Sequence, residues 1–131
     1  MNQKAQVSLE YILITLAIVV VLSLIVIQAT SLYSRNIKAI DNRAIKEAYE
    51  KIQGNIDISE ILENYTEEII LMPEREWNFE KINNNKYKIF NEDEEYILES
   101  TNEINFYFKN IKEETTIIFK KENNKITIEK K

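Results

Sequence analysis

The residues best suited to chemistry stand near the start of the chain. Lys4-Ala5 is followed by Gln6, Ser8 and Glu10 at alternate positions, and then by the apolar run Tyr11–Ile27, in which only Thr15 and Ser23 are polar. Glu10 is the single charge between Val7 and Ile27. An acid on a membrane-spanning helix costs about 2.5–3.5 kcal/mol at the centre and less near an end. A chain that only needed an anchor would have no reason to place one there. A blander reading makes Ser8 an N-cap and Glu10 a first-turn acid favoured by the helix dipole. The residue three after Ser8 is Tyr11, so a capping box is missing. Three further clusters have a chemical reading. Asn64-Tyr65-Thr66 is an N-x-Thr acceptor sequence for an N-linked glycan. Glu92-Asp93-Glu94-Glu95 has the charge for calcium but neither the glycine nor the spacing of an EF-hand loop, so a solvated turn is expected there and no metal site. Trp77, Tyr87, Phe106 and Phe108 could form an aromatic platform, but alternating aromatics on strands are more often core.

Composition removes most other chemistry. The 131 residues include no histidine, no cysteine, one glycine and one proline, with a formal net charge of −5. Disulfides, Cys/His zinc sites and Ser/His or Cys/His nucleophile pairs are excluded. One glycine cannot build a phosphate-cradling loop. An acidic chain lacks the basic face that nucleic acid requires. The expectation is a protein that is not an enzyme and needs no cofactor.

The elements that must position these residues divide the chain in two. Val7–Ile27 is apolar all round, the mark of a membrane-spanning helix rather than an amphipathic surface helix. The pattern then narrows without a break. Ala29, Tyr33, Ile37, Ile40, Ala44, Ala48 and Ile52 recur at three- and four-residue spacings, a stripe widened by Ile45 and Tyr49. One continuous helix is expected to Gln53, apolar over 7–27 and an amphipathic stem over 28–53, with Gly54 as its stop. A short helical turn is expected over Ser59–Asn64. Strands are expected over Glu67–Met72, Trp77–Ile82, Lys86–Phe90, Tyr96–Ser100, Ile104–Lys109, Thr115–Lys120 and Lys125–Glu129. Pro73 marks a strand end. Asn83-Asn84-Asn85 and Asn123-Asn124 are turn material, because asparagine tolerates left-handed backbone. The expected fold is α+β: a long N-terminal helix packed on a small, mostly antiparallel β-sheet head over 54–131. The stretch Arg35–Lys51 carries five basic and three acidic residues, and 52–131 carries 11 basic and 18 acidic, giving a basic stem and an acidic head.

Lys-Ala followed by Gln-x-Ser-x-Glu and a hydrophobic helix resembles the class III signal peptide of archaeal type IV-like pilins. The resemblance covers Gln6–Ile14 as a motif and extends over the helix to about Ile27. Where the family has leucine four residues after the glutamate, this chain has Ile14, with Leu13 beside it. The resemblance implies that a membrane prepilin peptidase cuts between Ala5 and Gln6 and removes the leader Met1–Ala5. It implies recognition through Lys4, Ala5, Gln6, Ser8, Glu10 and Ile14. It also implies a chain held in the cytoplasmic membrane before assembly and then built into a cell-surface fimbrium that serves adhesion. In such a filament Glu10 of one subunit would pair with the new α-amine of Gln6 on a neighbour.

Two other readings compete. A monomeric membrane-anchored surface domain would keep Met1–Ala5. A secreted soluble protein would be cut near Ala29-Thr30-Ser31. Charge alone points towards an anchor of opposite orientation: Arg35, Lys38, Arg43 and Lys46 follow the apolar run, and the positive-inside rule would keep them in the cytoplasm. The N-terminal motif is the more specific signal and sets the expectation.

Overall fold

A helix of 57 residues, α1 (Gln3–Ser59), opens the computed structural model, which describes residues 3–131. Met1 and Asn2, part of the expected leader, lie outside the described residues. The chain divides into two units near Ile37, and each is best understood alone.

In the first unit the helix has nothing to pack on. Among the described residues up to Asn36 every side chain is exposed, including Leu13, Ile18, Val21 and Ile25. Three of its hydroxyls are instead satisfied by the helix itself. Thr15, Ser23 and Thr30 each donate from Oγ to the carbonyl four residues back, of Tyr11, Val19 and Val26, at 2.8 Å. That back-bonding hides polar groups in a surface otherwise made of hydrocarbon. The segment is long and apolar enough to cross a membrane.

The second unit is two four-stranded sheets with the last part of α1. The strands are β1 (Tyr65–Leu71), β2 (Trp77–Asn83), β3 (Lys86–Phe90), β4 (Glu95–Glu99), β5 (Glu103–Phe106), β6 (Asn110–Ile111), β7 (Thr115–Glu122) and β8 (Lys125–Lys130). One sheet has the order β1-β7-β8-β5 and the other β4-β3-β2-β6. All pairings are antiparallel except β5 with β8. Ile45, Ala48, Ile52 and Ile56 of α1 are buried at helical spacing with alternate strand residues such as Leu71, Trp77, Ile89, Leu98, Phe119 and Ile128. Trp77 and Tyr87 are thus core rather than platform, and Phe106 and Phe108 pack against that core from its edge.

The expected stop at Gly54 is corrected. The helix runs on through it to Ser59, and of the short turn expected over Ser59–Asn64 only the turn at Glu60–Ile61 follows it. A glycine costs a helix interior about 1 kcal/mol relative to alanine. Burying Ile52 and Ile56 on either side outweighs that cost at about 1.5–3 kcal/mol per large aliphatic side chain. The real stop is chemical. Lys121 of β7, only 4% exposed, donates from Nζ to the carbonyls of Ser59 and, at 2.7 Å, of Leu62. A cation on the last carbonyls is what the helix dipole favours. The two asparagine turns also differ. Asn123 and Asn124 have φ of 52° and 64°, the left-handed pair of a two-residue hairpin between β7 and β8. The β2–β3 turn has no positive φ and is held by the Asn85 N–H donating to Asn83 Oδ1 at 2.8 Å.

Most sheet edges are closed by local groups. Gln53 clips β4, donating to the Glu99 carbonyl and accepting from the Glu99 N–H, both at 3.0 Å. On β5 the Ile104 N–H donates to the Asn84 carbonyl at 2.8 Å. The outer edge of β1 has no such cap among the described residues.

Candidate functional site

Helix geometry sorts the N-terminal motif onto two faces. Gln6, Glu10 and Ile14 follow one another at four-residue steps and form one file along α1, with Leu13 beside them. Lys4 and Ser8, also four apart, occupy a different face. All six residues from Lys4 to Ile14 that the resemblance singles out are exposed. The Ala5–Gln6 peptide falls within the first turns of α1, where opening the backbone for a protease costs least.

The capping alternative for Ser8 and Glu10 does not fit this helix. The helix starts at Gln3, which leaves Ser8 in its interior and puts no acid in the first turn. The dipole therefore gives no account of Glu10. Among the described residues no ion pair or side-chain hydrogen bond involves Glu10. The acid lies on a stretch of apolar helix that is exposed throughout. Cutting before Gln6 would place a new α-amine one turn from it.

The second unit holds an acid of the opposite kind, which spacing alone did not single out. Asp41 is fully buried on α1. Its Oδ1 accepts from the Glu74 N–H at 2.9 Å, the Arg75 N–H at 3.1 Å and Trp77 Nε1 at 2.9 Å. Its Oδ2 accepts from Arg75 Nε at 3.2 Å and Asn91 Nδ2 at 2.7 Å. Arg75 then reaches Asn42 Oδ1 and Asp93 Oδ2, each at 2.9 Å, while its Nη1 faces Glu92 Oε2 at 3.5 Å in an ion pair without a hydrogen bond. Burial works against the Arg75 charge, but the Asp93 hydrogen bond and the charges of Asp41 and Asp93 hold its pKa above the ordinary value. The Arg75 hydrogen bond, against a small desolvation, holds the Asp93 carboxyl below the ordinary carboxylate range. The acidic run at 92–95 is thus partly a counter-charge to Arg75, its loop fixed by Asn91 Oδ1 accepting from the N–H groups of Asp93 and Glu94. No group of acids arranged for a metal occurs among the described residues. The signal for Asp41 was available: it interrupts the apolar stripe between Ile37 and Ile45. Lys121 likewise follows Ile117 and Phe119 in the inward register of β7.

Asn64 lies in the bend between α1 and β1 and is exposed, as is Thr66. Tyr65 between them is tied down, its hydroxyl donating to Asn55 Oδ1 at 2.6 Å.

Set against models of protein families, curated proteins and solved structures, the chain matches none.

Proposed function

We propose that this chain is the structural subunit of an archaeal type IV-like pilus, cut between Ala5 and Gln6 by a prepilin peptidase and assembled through the apolar part of α1. The observation that carries the reading is the first unit: a helix without a buried residue up to Asn36, whose one charge within the apolar run is Glu10. Lipid satisfies such a surface before assembly, and identical helices satisfy it afterwards. The Glu10 carboxylate and a neighbour's Gln6 amine are each costly in hydrocarbon alone. Paired, they offset one another's desolvation and fix the axial register between subunits. A head-to-tail contact of this kind does not close and so grows an open helical filament. The β-rich head lies outside the cell, adhesion is the task of the assembled surface, and neither catalysis nor a cofactor enters.

A plain membrane anchor is favoured by one observation, the exposed basic residues Arg35, Lys38, Arg43 and Lys46 after the span. Intact-mass and N-terminal peptide mass spectrometry on the sheared surface fraction of the native cells separates the two. A chain beginning at Gln6 in that fraction supports the pilin. A chain beginning at Met1, found only in membranes, overturns it in favour of the anchor.

A further inference from the structure

We propose that Asn64 is an N-glycosylated residue whose oligosaccharide covers the junction between α1 and β1; this rests on the reading that the head is exported. Three observations meet there. First, Asn64-Tyr65-Thr66 is the one N-x-Ser/Thr sequence in the chain, and the fold exposes both residues that matter while pinning the middle one to Asn55. The carbonyl of Leu62, two residues earlier, is held by Lys121. The acceptor amide is therefore offered from a short anchored bend at the start of an edge strand, where a transferase can approach.

Second, Asn64 has no structural task. Asn42, Asn55, Asn83, Asn85 and Asn91 each hold a turn or join two elements through side-chain hydrogen bonds. The Asn64 side chain makes none among the described residues. Third, the same junction leaves apolar surface uncovered: Ile58 is 48%, Ile61 85% and Leu62 43% exposed. It also begins β1, the edge without a cap. Exposed apolar side chains beside an open strand edge invite unwanted pairing with other chains. A hydrated sugar chain at Asn64 would block both.

The co-reactant is an oligosaccharide activated as a lipid phosphate or diphosphate ester. The Asn64 amide nitrogen forms a bond to C1 of the first sugar as the C1–oxygen bond to the phosphate breaks. The phosphate leaves with the electron pair, and the amide gives up one proton to a base of the transferase. No electron transfer is involved.

The test is mass spectrometry of the intact chain and of the Asn64 peptide, on protein made in its native cells, beside Asn64→Gln, Thr66→Ala and Thr66→Ser. The expected result is an Asn64 peptide heavier by one or more sugar residues, lost in Asn64→Gln and Thr66→Ala and retained in Thr66→Ser. Since neither side chain is buried or hydrogen-bonded, the variants should fold and leave the outcome readable. An unmodified Asn64 in a chain beginning at Gln6 overturns the glycan and leaves the filament reading standing. An unmodified Asn64 in a chain beginning at Met1 overturns both. A modified Asn64 on a chain beginning at Met1 upholds the glycan and removes the processing reading.

Discussion

Glu10 and Asp41 are acids on the same helix, and they live in opposite circumstances. Asp41 is fully buried, and its two oxygens accept five hydrogen bonds from groups its own chain supplies. Glu10 is exposed on an apolar helix with no ion pair among the described residues. The difference is one of accounting for charge. Asp41 is complete within one chain, so its role is to hold the head together. Glu10 has no ion pair among the described residues, and the proposed filament would supply its partner from a neighbouring chain. The rest of each unit agrees. Around Asp41, even Gln53 and Lys121 spend their polar groups on closing an edge or a helix end. Beyond Glu10, the Thr15 and Ser23 hydroxyls are turned back on the helix itself.

Exchanging the two acids for neutral residues should separate these roles. The largest effect is expected from Glu10→Val: near-complete loss of filaments by electron microscopy, with cleavage and the melting of the head unchanged. Normal filament yield would break the comparison at its more important end. Asp41→Ala should do the reverse in kind. It strips acceptors from Arg75, Trp77, Asn91 and two backbone N–H groups, and should destabilise the head by about 3–5 kcal/mol in chemical denaturation, as breaking a buried ion pair does. A loss under 1 kcal/mol would mean that the network is incidental.

Smaller changes sharpen the picture. Lys121→Met keeps the volume but removes the donor from the Ser59 and Leu62 carbonyls, at an expected cost of about 1–3 kcal/mol. Fraying of residues 56–59 should show as faster amide exchange there. Asp93 predicts a pH dependence. Its folded pKa lies below the unfolded value, so the Arg75 contact stabilises at pH above the unfolded pKa, about 4, and that contribution fades as pH falls through the lowered folded value. Asp93→Asn should flatten that acid limb of the stability curve; an unchanged limb would show that the carboxylate has no part in it. The smallest effect is a gain. Nothing lies within 4 Å of a Cβ built at Gly54, so Gly54→Ala should stabilise by about 0.5–1 kcal/mol, read as a raised midpoint.

Much of the architecture was legible because its signals are periodic. An all-round apolar run, a stripe at helical spacing and alternating strand residues each follow from local geometry, and β3 came out at its expected bounds, Lys86–Phe90. The helix end was not legible. Gly54 is a valid local stop, and only the core that receives Ile56 overrules it. Asp41 and Lys121 were readable as polar residues in apolar register, but their partners were not: Arg75, Asn91 and the Ser59 carbonyl are brought to them from 34 to 62 positions away. The division into two sheets and the one parallel pairing, β5 with β8, belong to the same class.

By itself, then, the sequence determined the long helix, its apolar half, the single acid within it and the strand-rich remainder. It also determined what chemistry is impossible, because histidine and cysteine are missing. Tertiary structure decided where the helix stops and which polar residues are spent inside the head. The physical reason is range. Periodicity and composition act between neighbours in the chain, whereas burial and charge pairing are settled only by residues that folding brings together.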